Sequence, residues 1–181
     1  VRDDYSKRII AKLSSKNVSK VLDPTFLISY TQFKKNNIYG KYILVYSYGL
    51  KPNTIEKIKE IAKQKNCRVI YTGAYCNWSD ENIPADPFEW IALIYNAEYV
   101  FTSTFHGTVF SIICNKQFSV VDTNSEKVLG ILKDTGLLSR KIEIGHKFIP
   151  DEIINYQVVM ENINSLIKIS KEYLVSCLNK F

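Results

Sequence analysis

The stretch Tyr99-Val100-Phe101-Thr102-Ser103-Thr104-Phe105-His106-Gly107-Thr108-Val109-Phe110-Ser111 decides how this chain folds. Tyr99 to Thr102 is apolar and rich in aromatic and β-branched side chains, which predicts a buried strand. A polar turn of hydroxyl residues follows. His106 to Cys114 is then apolar nearly all round, which predicts a buried, rigid helix. A strand leading directly into such a helix aims backbone N–H groups and the positive end of a helix dipole at one point. One of the chain's two histidines stands at that junction.

The same alternation continues on both sides. Upstream, Lys41 to Tyr48 predicts a strand, Thr54 to Lys65 an amphipathic helix with Ile55, Ile58 and Ile61-Ala62 on one stripe, and Cys67 to Thr72 a strand. Gly73 to Ala85 reads as a long loop, and Asp86-Pro87-Phe88-Glu89 opens a helix running to about Asn96. Downstream, Phe118 to Asp122 predicts a strand, Ser125 to Thr135 a helix and Arg140 to Ile144 a last short strand. At the ends, a helix from Asp3 or Asp4 has Tyr5, Ile9, Ile10 and Leu13 on one face, and Ser19 to Leu22 reads as a strand closed by Asp23-Pro24. A long helix from Tyr156 to Leu178 has Val158, Ile163, Leu166, Ile167 and Tyr173-Leu174 as its apolar face. Repeated strand–helix units with short connections predict an α/β, Rossmann-like fold: a parallel sheet with helices on both faces. Ligands of such sheets gather at the carboxyl ends of the strands, here the loops Ser47–Asn53, Gly73–Ala85, Thr102–His106 and Asp122–Ser125.

The 181 residues fit a single domain spanning 1–181, and a chain of this length needs no disulfide or metal to hold a core. Cys67, Cys76, Cys114 and Cys177 form no C-x-x-C pair and read as reduced, mostly buried thiols of a cytosolic protein. The net charge of +6 is spread out, with Lys34-Lys35 the tightest basic pair. That suits an anionic small ligand or an acidic membrane surface better than nucleic acid, which demands a concentrated basic stripe. No apolar run approaches the ~20 residues that span a bilayer, and no signal peptide is visible. The expected location is cytoplasmic, with peripheral contact at the inner face of the membrane open to it. The chain begins with Val1 rather than methionine, so a piece of a longer protein is expected.

His106 is the leading candidate for chemistry. Its bland reading is a residue of the helix start whose ring bonds a neighbouring loop. Its functional reading is a general acid on a rigid mount, delivering a proton once an anionic substrate is bound. Glu89 lies three residues after Asp86 with Pro87 between, a capping-box arrangement, and the structural reading leads there over a catalytic carboxylate. Trp78, with Tyr75 and Asn77, is either a platform for a sugar face or a plug that seats its loop on the core. Arg2, Arg68 and Arg140 are the candidates for gripping an anion through a guanidinium fork, Arg68 being discounted because it sits early in its strand. His146, in Gly145-His146-Lys147, reads as solvated. No cluster of metal ligands is visible, so no metal is expected.

Several segments together resemble the polysaccharide pyruvyl transferase family: Val1-Arg2-Asp3, Asp23-Pro24-Thr25-Phe26-Leu27, Asp86-Pro87-Phe88-Glu89-Trp90, Thr102-Ser103-Thr104-Phe105-His106-Gly107-Thr108 and Phe118-Ser119-Val120-Val121-Asp122. The resemblance implies the carboxyl-terminal half of a protein with two Rossmann-like domains facing a cleft, as in GT-B glycosyltransferases. It implies transfer of the enolpyruvyl unit of phosphoenolpyruvate to a sugar diol, giving a pyruvate ketal and phosphate in bacterial surface-glycan synthesis. The partners implied are phosphoenolpyruvate as donor substrate, a sugar or lipid-linked oligosaccharide acceptor and the missing amino-terminal domain. No cofactor is implied. His106 stands at the family's proposed catalytic histidine. The N–H groups of Gly107 and Thr108 and the hydroxyls of Ser103 and Thr104, beside Phe105, are expected to hold the anion. The family's common motif has arginine two places before the histidine, where this chain has Thr104, and a hydroxyl cannot replace that fork. A GT-B glycosyltransferase using a nucleotide sugar and a non-catalytic domain binding an anionic glycan are the competing readings.

Overall fold

In a computed structural model, residues 1–15, 17–142 and 147–179 are described. Five strands form one parallel sheet: β1 (Tyr42–Tyr46), β2 (Arg68–Thr72), β3 (Glu81–Ile83), β4 (Tyr99–Thr102) and β5 (Phe118–Val120), in the order β3-β2-β1-β4-β5. Among the described residues six α-helices accompany them: α1 (Asp4–Leu13), α2 (Pro52–Gln64), α3 (Pro87–Asn96), α4 (Phe105–Ile113), α5 (Glu126–Asp134) and α6 (Tyr156–Leu178). The fold is α/β and Rossmann-like. Among the described residues no helix is long and apolar enough to cross a membrane.

The chain divides into two compact units. One comprises residues 30–124 and 139–153 and contains the whole sheet with α2, α3 and α4. All residues of β4 and all but Tyr46 of β1 are buried, so both faces of the sheet are covered. On one face Ile43, Val45, Val69, Tyr71, Tyr99 and Phe101 pack with Ile58, Ile61 and Ala62 of α2. Strand alternation turns Tyr42, Leu44, Val100 and Thr102 to the other face. There the Tyr42 hydroxyl donates to the Leu93 carbonyl of α3 at 2.7 Å. Trp90 of α3 meets Tyr46 and Phe110 of α4, with ring centroids 4.8 and 5.0 Å apart.

The other unit comprises residues 1–29, 125–138 and 154–181 and contains α1, α5 and α6. Asp3 caps α1 by accepting from the Ser6 N–H at 2.7 Å. Lys20 bridges Asp4 and Asp134, 2.8 Å from each. The Leu22 N–H donates to the hydroxyl of buried Ser170 at 2.8 Å.

Several expectations are corrected. Ser19 to Leu22 forms no strand; its polar backbone pairs with the chain's first residue, Val1 N to Ser19 O at 2.8 Å and Val21 N to Val1 O at 2.8 Å. The long loop 73–85 contains edge strand β3, whose side chains are only half-buried and so carry no apolar alternation. Arg140 to Ile144 is not a strand in its described part: a 3-10 turn covers Leu138–Arg140, and Lys141 makes a single bridge to Val120. Residues 143 and 144 lie outside the described residues. In α6 the expected face holds at its centre, where Ile163 is buried and Leu166 and Ile167 are half-buried, but not at its ends, where Val158, Tyr173 and Leu174 are exposed; Val159 and Ser170 are buried in addition. The expected apolar face of α1 is exposed at Tyr5, Ile9, Ile10 and Leu13. Of the four cysteines only Cys114 is buried.

Asp23 ties the start of this second unit together. Its carboxylate accepts from Thr25 N–H at 3.2 Å, Thr25 Oγ1 at 2.8 Å and Arg2 Nη1 at 2.6 Å. Burial opposes the charge, but the Thr25 bonds and the Arg2 guanidinium outweigh it and hold the carboxyl below its ordinary value. A depressed native value stabilises above the unfolded value of about 3.9 and is lost as pH falls through the native one. Asp23→Asn is therefore expected to lose about 1–3 kcal/mol at pH 6. In urea unfolding the gap from the unsubstituted chain should shrink between pH 6 and pH 2.5, and a pH-independent gap would contradict this assignment.

Candidate functional site

The order of strands reverses between β1 and β4, so the loops after these two strands part at the carboxyl edge of the sheet and lead into α2 and α4. Crevices at such points are where ligands of doubly wound sheets bind. Buried Thr102 ends β4, and its hydroxyl donates to the Tyr46 carbonyl at the end of β1 at 2.6 Å. The same oxygen accepts the Thr104 N–H at 3.1 Å. Ser103 Oγ accepts from Ser47 Oγ at 2.7 Å and from the Tyr48 N–H at 3.1 Å, stapling the two loops together.

Thr104 is the N-cap of α4, accepting the Gly107 N–H on its hydroxyl at 3.0 Å. Its carbonyl accepts the Thr108 N–H at 3.1 Å and the Thr108 hydroxyl at 2.9 Å. The amides of Gly107 and Thr108 and the hydroxyl of Thr104, expected to hold an anion, are thus engaged within the turn, and the Ser103 hydroxyl, expected to do the same, is engaged with the loop after β1. Gly107 has a packing role: a Cβ there would lie 2.1 Å from Thr102 Oγ1 and 2.7 Å from Thr104 Oγ1.

His106 occupies the first turn of α4 and is exposed, while the next six residues, Gly107 to Ile112, are all buried. Phe105, half-buried, meets the imidazole edge-on with centroids 5.3 Å apart. Among the described residues neither the ring nor the His106 backbone N–H is hydrogen-bonded. The junction therefore presents an imidazole and a helix-start amide to solvent on a buried helix.

The start of α2 differs. The Asp122 carboxylate accepts the Lys51 N–H at 2.9 Å and lies 3.9 Å from Lys51 Nζ. Asp122 has φ 49°, and its side chain is only 11% exposed. An internal anion thus occupies the helix start that a dinucleotide's phosphates use in Rossmann domains. The sequence places Asp122 at the end of a strand and the start of a ligand-edge loop but gives no sign of its bond to Lys51, which strand order creates and the local pattern does not carry.

Other candidates fall elsewhere. Glu89 completes the capping box of α3: Asp86 accepts from Phe88 and Glu89 N–H at 2.8 and 2.9 Å, and Glu89 Oε2 accepts from Asp86 N–H at 3.2 Å. Trp78 packs edge-on against Tyr71, with ring centroids 5.7 Å apart. Asn77 is exposed in the same loop. Arg2 belongs to the other unit, paired with Asp23. Arg68 donates to the Tyr39 carbonyl and pairs with Glu81 at 3.2 Å. Arg140 is buried and donates to the Glu152 carbonyl. His146 lies outside the described residues. Beside the junction, burial and then the Tyr48 hydroxyl push the Tyr46 phenol up to about 12, keeping it neutral.

A model of the polysaccharide pyruvyl transferase family matches residues 1–125. No curated protein matches the chain in sequence. Among solved structures, the chain is similar to a Listeria monocytogenes protein assigned as a UDP-N-acetylglucosamine 2-epimerase (11% identity, TM-score 0.52). It is also similar to the E. coli ADP-heptose lps heptosyltransferase II (14% identity, TM-score 0.39). The first likeness covers 92% of this chain and 50% of the other, the second 89% and 57%. The chain thus spans about half the length of these proteins, and the first likeness speaks for the fold alone.

Gly107→Ala is expected to cost about 1–3 kcal/mol by overpacking against Thr102, despite alanine's better helix propensity. Thr104→Ala should cost about 1 kcal/mol through the lost cap. Urea titration of each variant checks both values, and a Gly107→Ala chain as stable as its parent would refute the packing role.

Proposed function

We propose, from the premise that the chain belongs to the polysaccharide pyruvyl transferase family, that it is the carboxyl-terminal half of an enzyme that ketalises a sugar diol with phosphoenolpyruvate. The observation that carries this reading is His106, exposed on the first turn of buried α4 at the reversal point of the sheet. An imidazole so mounted can approach a bound anion whose charge is favoured by the helix start.

In the proposed reaction His106 delivers a proton to the methylene carbon of phosphoenolpyruvate. The adjacent carbon becomes oxocarbenium-like, and one sugar hydroxyl adds to it, returning its proton to the imidazole. A second hydroxyl then displaces phosphate, which departs with that hydroxyl's proton, leaving the pyruvate ketal. The His106 amide and the α4 dipole face the negative charge of the donor and of the departing phosphate. Thr104 supplies no guanidinium here, so further cationic groups for the dianion come from outside this turn, the amino-terminal half included.

The threonine at position 104, where the family's common motif has arginine, favours one second reading, a domain that binds an anionic glycan without turnover.

With the full-length parent, phosphoenolpyruvate and lipid-linked sugars, phosphate release is expected to fall at least 100-fold in His106→Ala, the lower end of general-acid contributions. Unchanged release would remove His106 from the chemistry. A parent that binds glycan and releases no phosphate would select the non-catalytic reading.

A further inference from the structure

We propose that the hollow beyond β2 and β3 is a subsite for an uncharged sugar residue of the acceptor, placed away from the reacting diol. This rests on the transferase reading above. The hollow is open, about 650 Å³, and is lined by Gly73, Ala74, Tyr75, Asn82, Ile83, Pro84 and Ala85. That size lies in the range of small-molecule sites, roughly 300–1,000 Å³. It sits at the carboxyl ends of β2 and β3, on the same edge of the sheet as His106.

Three features fix its ligand class. First, no lining residue carries a charge at neutral pH. Its ionisable neighbours in sequence, Asp80, Glu81 and Asp86, are acidic, and each is engaged: with the Val69 N–H, with Arg68 and with the α3 amides. An anionic donor is therefore not drawn here, while a neutral ligand pays little for entering. Second, Tyr75 is 82% exposed, the most exposed aromatic side chain of the chain's described residues. Such a ring offers a flat apolar face and a hydroxyl, which suit the C–H face and hydroxyls of a pyranose. Third, the walls are fixed. The Asn82 amide bonds both ways with the Cys76 backbone, 2.8 Å each, tying loop 73–79 to β3. Gly73, at φ +91°, lies so close to Tyr46 that a Cβ would sit 2.5 Å from its ring.

The spacing gives the length of the acceptor. From β4 to the β2–β3 edge is two to three strand steps, about 10–14 Å at the usual 4.7–4.9 Å per step. Tyr48, 55% exposed, stands at the end of β1 between them. A single sugar ring at His106 does not reach the hollow, whereas a trisaccharide does. The geometry thus assigns Tyr75 as a specificity residue for acceptor length.

The test is direct binding by the full-length parent, measured by calorimetry with neutral mono-, tri- and pentasaccharides of hexose or N-acetylhexosamine units. Parent affinity is expected to rise at least tenfold from mono- to trisaccharide. Tyr75→Ala should remove that gain, Tyr75→Phe should keep most of it, and phosphoenolpyruvate affinity should be unchanged in both. Because Tyr75 is exposed, its loss does not threaten the fold. Affinity independent of length in the parent, an undiminished gain in Tyr75→Ala, or no binding of any oligosaccharide would overturn the subsite. Phosphate release, read separately, distinguishes the cases: release intact with no length effect refutes the subsite alone, and length-dependent binding without release refutes the transferase reading alone.

Discussion

The close approach of Gly107 to Thr102 is the constraint on which the site depends. Thr102 is fully buried and uses one hydroxyl twice, toward the β1 carbonyl of Tyr46 and from the Thr104 N–H. Only a residue without a Cβ can lie against it at the third helical position. The helix thereby begins immediately after the strand, with Thr104 closing its first turn. Gly107 lies against Thr102 and the five residues after it are also buried, whereas His106 before it is exposed.

The same local logic explains what could be read from the chain. β1 and β4 are buried on nearly every residue, so their apolar runs announce themselves. The Asp86–Glu89 box is a local motif whose partners are three residues apart. β3 could not be read because an edge strand of three half-buried residues has no periodicity. The face of α6 is legible at its centre, Ile163 to Ile167, but its buried side also includes Ser170, a polar residue recruited by the Leu22 N–H from 148 residues away. At the site, the position of His106 was legible from the strand-to-helix transition. The engagement of Ser103 with Ser47 was not, because it depends on β1 lying beside β4.

That adjacency also makes the two helix starts unequal. Both α2 and α4 begin at the carboxyl edge, where the first amides of a helix have no partner in the turn before them. At α2 the Asp122 carboxylate meets the Lys51 amide, and at α4 the cap is a neutral hydroxyl. A second anion at α2 would meet Asp122 at short range, whereas one at α4 meets an imidazole and an open amide. The edge is thus polarised before any ligand arrives, with the better anion position on the His106 side.

On the opposite side, over β2 and β3, the lining is uncharged and its flanks are acidic. Ketal formation joins a multiply charged donor to an acceptor that is neutral at its reacting hydroxyls. Surfaces for both must lie within one molecule's length of each other while differing in charge. A sheet edge supplies that separation at no cost in backbone rearrangement, because strand spacing sets the distance and each loop sets its own electrostatics. In the proposed enzyme the donor's charge is kept near the α4 start, and the acceptor is drawn along the edge by ring contacts that do not compete for it.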